Sequence, residues 1–214
     1  VKREIDRLRD IIKQELKSTF NLDFDGFMTL DLPNQFTVNG VKDLSYSCVT
    51  KAMFYSDVLL GVKDIEYAKF DPIPYSEIEK TIKTAKENAG EFKYIFDTLE
   101  KLCGFMKYKA TLGIEARKAY KQKDLKGLKQ VVKKLTKAIK LSIKALDKFI
   151  PVFKNQWFIE NKPFGWEVQI LRLGSLRARL IDTKERLNDY LKGKITKIEE
   201  LEEELLPWKD RNGF

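Results

Sequence analysis

Apolar residues recur every three or four positions along most of this chain, which is the spacing of an amphipathic helix. The spacing predicts helices at 2–18, 46–60, 76–90, 92–121, 124–150, 166–192 and 195–206. Helices of this length, joined by short turns, are typical of an antiparallel bundle. We therefore expect an all-α fold, an antiparallel helical bundle of about six to seven helices.

The clearest pattern covers residues 124–150. Its apolar positions step by three or four along one helix face: Leu125, Leu128, Val132, Leu135, Ile139, Ile143, Leu146 and Ile150. Asp124 is placed to cap the first turn, where a carboxylate accepts hydrogen bonds from unpaired N–H groups. Pro151 is expected to end or kink this helix, because proline lacks the N–H that the helical ladder needs. In the same way, Ser45 is placed to cap the second predicted helix and Gly61 to end it.

Two connecting segments lack the helical spacing. Residues 20–43 are rich in turn formers and contain an Asn39-Gly40 turn signal. We expect an irregular loop there, with one short extended piece around residues 36–38. Residues 62–75 contain D-P-I-P, whose prolines are incompatible with a helix.

The composition indicates a folded protein and not a disordered one. Of the 214 residues, 43% are hydrophobic and 34% are charged, and no apolar run resembles a membrane span or a secretory signal. Cys48 and Cys103 lie in apolar surroundings, so we expect buried free thiols and a cytoplasmic location, where thiols stay reduced. Val1 already lies in helical rhythm without an initiator Met. We therefore expect a single helical domain, 1–214, that is part of a longer chain.

The chain contains no histidine. This absence excludes the Ser-His-Asp and Cys-His nucleophile systems and nearly every zinc or di-iron arrangement. The glycines form neither G-x-x-x-x-G-K-[ST] nor G-x-G-x-x-G, so the common nucleotide-binding loops are excluded as well. We expect no metal ion and no cofactor. Only carboxylates, lysine and tyrosine remain as candidate catalytic groups.

The positive charge is concentrated in one part of the chain. Residues 101–150 carry 15 Lys or Arg and 3 Asp or Glu, whereas residues 195–206 carry five Glu and one Lys. Seven lysines follow the helix period one position behind the apolar stripe: Lys126, Lys129, Lys133, Lys137, Lys140, Lys144 and Lys148. Such a face is usually only solvated, and it lacks the interleaved arginine and aromatic residues of nucleic-acid modules. An anionic partner stays open as the second interpretation, and the Glu-rich segment 195–206 is one candidate.

The five glutamates of that segment are expected to form an exposed face, since like charges so close on one helix repel one another. They are Glu199, Glu200, Glu202, Glu203 and Glu204. We do not expect a catalytic carboxylate pair among them.

Aromatic residues cluster in the turn at 157–167, around Asn161-Lys162-Pro163. The cluster consists of Trp157, Phe158, Phe164 and Trp166. One interpretation is a tight turn between helices whose aromatic rings close the end of the bundle. The other is a docking surface, because tryptophan is enriched where interfaces concentrate their binding energy.

Several motifs occur in the order found in one family. The C-terminal ones are N-K-P-F-G-W-E-V-Q at 161–169, R-L-G-x-L-x-x-R-L at 172–180, R-L-x-D-Y-L-x-G-K-I at 186–195 and I-E-E-L-E-E-E-L-L-P at 198–207. Nearer the N-terminus stand D-L-P-N at 31–34 and F-Y-S-D-V-L-L-G-V-K-D at 54–64. In these motifs the chain resembles the C-terminal helical domain of bacterial β-N-acetylhexosaminidases of glycoside hydrolase family 20. Residues 75–155 match that domain only in helical character.

The resemblance implies a domain without catalytic chemistry. In these enzymes an adjacent Asp-Glu pair on a barrel strand reacts: the Glu protonates the leaving oxygen, and the Asp orients the substrate's own acetamido group as nucleophile. No Asp-Glu dipeptide occurs in this chain, and the strand–helix alternation of an eight-stranded barrel is missing too. The resemblance therefore implies a parent that removes terminal N-acetylglucosamine or N-acetylgalactosamine from glycans, and a fragment that is inactive alone.

The resemblance also implies partners. In these enzymes the helical domain follows the catalytic barrel, packs on it and can take part in homodimer contacts. We expect eight residues at this interface or at the rim of the glycan pocket: Tyr55, Asp57, Trp157, Asn161, Phe164, Trp166, Glu167 and Arg172. We expect no membrane partner, and nucleic acid is disfavoured. The alternative is a free-standing basic helical interaction module that binds nucleic acid or acidic proteins.

Overall fold

The computed structural model describes residues 2–42 and 48–205, with the side chains in these ranges except at 142, 143 and 145–148. The described part contains ten α-helices: α1 (Lys2–Phe20), α2 (Phe24–Met28), α3 (Val49–Tyr55), α4 (Asp64–Tyr67), α5 (Tyr75–Ala85), α6 (Lys93–Lys109), α7 (Leu112–Lys121), α8 (Leu125–Glu160), α9 (Trp166–Leu191) and α10 (Glu199–Glu202). Its strands are β1 (Thr37–Val38) and β2 (Val41–Lys42), an antiparallel pair. Short 3₁₀ helices cover Thr29–Asn34, Lys86–Asn88 and Gly90–Phe92. The predicted all-α helical bundle is confirmed.

Helix α8 is the centre of the bundle. It packs against α6, α7 and α9, and α5 packs on the other side of α6. One hydrophobic cluster joins α3–α10. Its largest fully buried side chains include Phe96, Met106, Leu135 and Leu187. Burial of such side chains contributes about 1.5–3 kcal/mol each, so this shared cluster holds the helices together.

The apolar pattern predicted α8 well, with two differences. Asp124 caps it as expected, because its carboxylate accepts the Gly127 N–H at 2.9 Å. Leu125 was expected in the core but is 50% exposed, since it lies in the first turn, at the end of the packed face. Pro151 lies inside the helix and does not end it. The side chains of the predicted core residues Ile143 and Leu146, and of Lys148, lie outside the described part.

The prediction of an irregular loop at 20–43 was partly wrong. The segment contains α2 and a 3₁₀ helix. Asp23 caps α2, because its carboxylate accepts the Asp25 N–H at 3.2 Å. The short extended piece is present as β1. The Asn39-Gly40 turn is also present, with φ of 52° and 76° in the left-handed region that these residues tolerate.

Several helix ends differ from the predicted ones. The second predicted helix ends at Tyr55, and the predicted cap Ser45 lies outside the described residues. The prolines at 72 and 74 do exclude a helix there, but the four-residue α4 precedes them. The continuous helix predicted at 92–121 is interrupted at residues 110–111, where Thr111 leaves the helical region with φ −103° and ψ 0°. Apolar spacing alone does not reveal such an interruption, because the stripe continues across it.

Both cysteines are free, but their environments differ. Cys103 is buried in α6, as expected. The expectation of a buried Cys48 was wrong: its thiol is exposed at the start of α3. No helix in the described ranges is long and apolar enough to cross a membrane.

Candidate docking surface

A buried lysine holds the end of α3. Lys109 of α6 is 3% exposed and donates hydrogen bonds to the backbone carbonyls of Met53 and Ser56, the latter at 2.6 Å. Burial lowers the pKa of Lys109 to about 8, because an ammonium loses hydration inside the protein. The carbonyl groups left unpaired at a helix end thus find a donor from another helix.

A buried arginine joins the following turn to α10. The guanidinium of Arg117, on α7, donates to five backbone carbonyls at 2.7–3.3 Å: those of Leu59, Leu60, Glu200, Leu201 and Glu203. Arg117 is buried, and burial lowers its pKa. The planar guanidinium can serve several carbonyls at once.

The helix predicted at 195–206 was wrong over most of its length, and Arg117 binds where α10 ends. The described part of that segment forms only the single turn of α10. Carbonyl groups that would accept helical N–H bonds instead accept bonds from Arg117. Residues 206–214, which include Trp208, lie outside the described part.

Asp64 lies buried beside these two cations. Burial raises the pKa of its carboxyl to about 6, although Arg117 and Lys109 act in the opposite direction. Its Oδ2 atom accepts no hydrogen bond from the described residues. A Cβ added at Gly113 would lie 2.7 Å from this oxygen, so the close approach of α7 requires glycine there.

On the outer side of the same turn, Asp57 joins it to α9. Its Oδ1 accepts the N–H groups of Leu59 and Leu60 at 2.9 and 3.0 Å, and its Oδ2 accepts the Arg179 Nε–H at 2.6 Å. Burial raises the pKa of Asp57, but the hydrogen bonds from Arg179 and from the backbone outweigh it and leave the pKa below its usual value. Asp57 therefore holds the turn after α3 against α9.

Glutamates of α10 complete this ion network. Glu200 accepts from Arg179 at 3.2 Å and from Arg186, and Glu199 accepts from Arg186 at 3.0 Å. The prediction of a uniformly exposed glutamate face was wrong for Glu200, whose side chain is largely covered by the two arginines. Within the described residues, the counter-charges of these two glutamates are arginines of α9 and not the lysines of α8.

A pocket of about 390 Å³ opens between this turn and α9. Its lining brings together three of the predicted interface residues, Tyr55, Asp57 and Arg172. Leu171 and Leu176 supply its apolar wall. The Arg172 side chain is exposed at the rim and forms no ion pair with another described residue. The pocket therefore has an apolar wall and, in Arg172, a cation that no described carboxylate pairs with.

The other five predicted residues lie at the tip of the α8–α9 hairpin. Trp157 and Trp166 face each other with ring centroids 6.3 Å apart, and Trp157 Nε1–H donates to the Lys162 carbonyl at 3.0 Å. Glu167 accepts the Gly165 N–H at 2.9 Å. Gly165 has φ 94°, a value that favours glycine. These contacts define the conformation of the turn.

The tip supports both interpretations of the aromatic cluster. Trp157 and Trp166 are half-buried against Phe153, so they do close the end of the hairpin. Phe164 instead is 85% exposed, and Asn161 is exposed beside it. Apolar residues that are exposed together indicate an interaction surface, whereas single exposed ones are common.

Exposed apolar residues connect the tip to the pocket. Val168 and Leu171 lie one helical turn apart on α9 and are both exposed, and Leu171 also lines the pocket. We call the whole region the tip-and-pocket surface. It consists of Tyr55, Asp57, Asn161, Phe164, Val168, Leu171 and Arg172.

The predicted interface residues lie on or next to this surface, and the sequence analysis did not select the side chains that support it. Lys109, Arg117, Arg179 and Arg186 were not selected, because a basic residue in a helix gives no local sign that its partner is a distant carbonyl or carboxylate. For Arg179 one signal was present. It is the second arginine of the R-L-G-x-L-x-x-R-L motif, seven positions after Arg172 and therefore on the same helix face.

The lysine face of α8 is exposed in the described part of the chain. Lys126, Lys129, Lys133, Lys137, Lys140 and Lys144 are all exposed. The neighbouring Lys134 is paired with Glu115 at 2.6 Å. Over residues 2–42 and 48–205, no group of three or more carboxylates or thiols is placed to hold a metal ion.

Comparison with known families gives one match. A family model described as the Glycoside Hydrolase 20C C-terminal domain matches residues 25–214. The matched range includes all eight predicted interface residues and the buried cations, and α1 lies ahead of it. No curated protein sequence matches the chain.

Proposed function

The chain belongs to the Glycoside Hydrolase 20C C-terminal domain family, and from this premise we propose that it is the non-catalytic helical domain of a β-N-acetylhexosaminidase-like enzyme, packed on the catalytic barrel of the same parent chain. The parent acts in carbohydrate metabolism, in the cytoplasm, on terminal N-acetylhexosamine. The domain supports the rim of the glycan pocket.

The observation that carries this proposal is the tip-and-pocket surface. Phe164, Val168 and Leu171 are exposed apolar residues, and the pocket beside them has an apolar wall. Interfaces concentrate their binding energy in aromatic and arginine residues at such places. Below this surface, the buried cations Lys109 and Arg117 and the partly exposed pairs of Arg179 bind the turn after α3 to neighbouring elements. A surface held in place before docking loses less ordering entropy on binding.

The distribution of chemical groups supports a non-catalytic role. The chain has neither histidine nor an Asp-Glu dipeptide. Three carboxylates that the structure brings together, Asp57, Asp182 and Glu200, are held by Arg179. An arginine partner favours the charged carboxylate, and the pKa values of Asp57 and Glu200 lie below their usual values. Neither carboxyl is therefore suited to donate a proton at neutral pH.

We expect the purified 214-residue chain to hydrolyse no aryl N-acetyl-β-hexosaminide. The carboxylic acid that protonates the leaving oxygen and the group that orients the acetamido nucleophile are both missing. The measurement is release of the chromophore over hours, with the intact parent enzyme as positive control. Turnover above the buffer background that follows the protein through purification would contradict the proposal.

The docking role is tested with substitutions on the tip-and-pocket surface. Replacing Phe164 and Leu171 together by Gln is expected to weaken association with a separately produced catalytic domain by about a hundredfold, because burial of a large apolar side chain contributes about 1.5 kcal/mol or more. The measurement is isothermal titration calorimetry. Val41→Gln is the matched control, since Val41 is also exposed but lies on the distant β2.

The outcomes of this experiment distinguish between the catalytic domain and a second copy of the chain as the partner of this surface. Equal affinity of the double variant and the control for the catalytic domain would overturn the assigned surface. If the chain forms a homodimer that the double variant abolishes, while neither the unmodified chain nor the variant binds the catalytic domain, a second copy is the occupant.

The alternative of a free-standing basic module rests on the exposed lysines of α8. It requires binding of an acidic partner or nucleic acid that survives physiological salt.

A further inference from the structure

Helix α1 differs from the other long helices of the bundle. It spans 19 residues, and none of them is buried. Four of its large aliphatic side chains are between 44% and 59% exposed: Ile5, Leu8, Ile11 and Ile12. An amphipathic helix normally buries its apolar stripe against a core. The stripe of α1 is instead open in the described part of the chain.

The stripe has borders of opposite charge. Ile5, Leu8 and Ile12 follow one another at three and four positions and therefore lie on one face. At 100° per residue, Glu4 and Glu15 lie along one edge of this face, and Arg9 and Lys13 lie along the other. Helix pairing commonly uses such borders to choose a partner and its orientation.

The basic edge is already occupied by the domain itself. Arg9 and Lys13 both bind the carboxylate of Asp25, at 2.8 and 2.6 Å, and Arg9 also lies over the Phe24 ring. These contacts hold the basic edge of α1 against α2. They leave the apolar stripe and the acidic edge facing outward, so any partner must fit an apolar ridge next to Glu4 and Glu15.

These borders argue against a second copy of α1 as that partner. In a parallel pair the acidic edge of one helix lies beside the basic edge of the other, but Asp25 already occupies that basic edge. In an antiparallel pair the acidic edge lies beside another acidic edge, which is repulsive. The stripe therefore fits a different surface, one with an apolar groove and lysine or arginine at one border.

We infer that the apolar stripe of α1 docks on the catalytic domain that precedes it in the parent chain. The inference rests on the proposed function and adds a second contact to the tip-and-pocket surface. Its support is the place of α1, which lies ahead of the range 25–214 that the family model matches. A barrel that precedes this range is joined to it through α1. The α1 stripe and the barrel surface therefore belong to one chain, and each is present at a high effective concentration for the other. Even a modest apolar contact between them then forms readily.

The test is a triple substitution, Ile5→Gln, Leu8→Gln and Ile12→Gln, in the 214-residue chain. The variant should fold, because none of these side chains is buried, and its circular dichroism spectrum and thermal midpoint check this. We expect its affinity for the separately produced catalytic domain to fall at least about tenfold, since three half-exposed aliphatic side chains each bury further apolar area on docking. The matched control is Arg3→Gln with Asp10→Asn, which leaves the net charge unchanged and lies on the opposite face of α1.

Each outcome has a distinct meaning. Unchanged affinity of the triple variant, together with weakened binding by the Phe164 and Leu171 variant, would overturn the inference and leave the proposed function standing. Absence of binding by the unmodified chain would overturn the proposed function, and the inference with it. A homodimer of the unmodified chain that the triple variant converts to monomer in analytical ultracentrifugation would assign the stripe to a second copy, against the inference.

Discussion

Arg117→Gln is expected to lower the free energy of unfolding by about 3–5 kcal/mol, because charged hydrogen bonds to five carbonyls are lost at once. Glutamine is shorter and has only two N–H groups, so most of these buried carbonyls lose their donor. The loss separates the turn after α3 from α10, which Arg117 joins. It also removes one of the two cations that oppose the burial of Asp64, so the pKa of Asp64 should rise above its value of about 6.

The measurement is urea denaturation followed by circular dichroism. Arg117→Lys should recover only a small part of the stability, because an ammonium has three donors and no planar fork. Lys118→Gln is the matched control, since Lys118 is the next residue of α7 and is exposed. Its effect should stay within about 0.5 kcal/mol. A loss no larger for Arg117→Gln than for the control would mean that the carbonyls find water instead.

Leu135→Ser is expected to cost about 4 kcal/mol or more. Leu135 is fully buried on α8, the helix that packs against α6 and α7. The substitution removes apolar contacts, opens a cavity and buries a hydroxyl. Part of the hydroxyl cost is offset if it bonds to the carbonyl four residues earlier, as Thr136 does with Val132.

The control for this prediction lies on the same helix. Leu125→Ser makes the same chemical change at a half-exposed position, and it should cost less than about 1.5 kcal/mol. Both free energies of unfolding come from the same urea titration. Similar values for the two variants would show that α8 is not the centre of the folded core.

The helical nature of the chain follows from local chemistry. Helices form at 2–18, at 166–192 and after the cap Asp124. They form there because apolar spacing, capping and helix propensity act between residues three or four positions apart. The same spacing identifies the core positions Leu128, Leu135 and Ile139, which are buried. Leu125 shows the limit of this reasoning, because an apolar residue at a helix end is buried only if another element covers it.

The assignment of the candidate surface stays a prediction, but the structure shows where its residues lie. Phe164 and Arg172 were selected from the aromatic turn and from the family motifs, and they lie on an open face of the hairpin. That Tyr55 and Asp57 line one pocket with Arg172, over a hundred residues away in the chain, is a property of the packed bundle. Arg179 joins the two regions through a hydrogen bond between residues 122 positions apart. No local pattern contains such a distance.

The sequence by itself determined that this protein is helical, which helix faces are apolar, and that histidine chemistry and the Asp-Glu pair are missing. Only the tertiary structure decided where the helices end and which charges are buried. Lys109 bonds to a carbonyl 56 positions away and Arg117 to one 84 positions away. Helix spacing depends on neighbours within one turn, whereas the stability of a buried charge depends on partners that only the folded chain brings close.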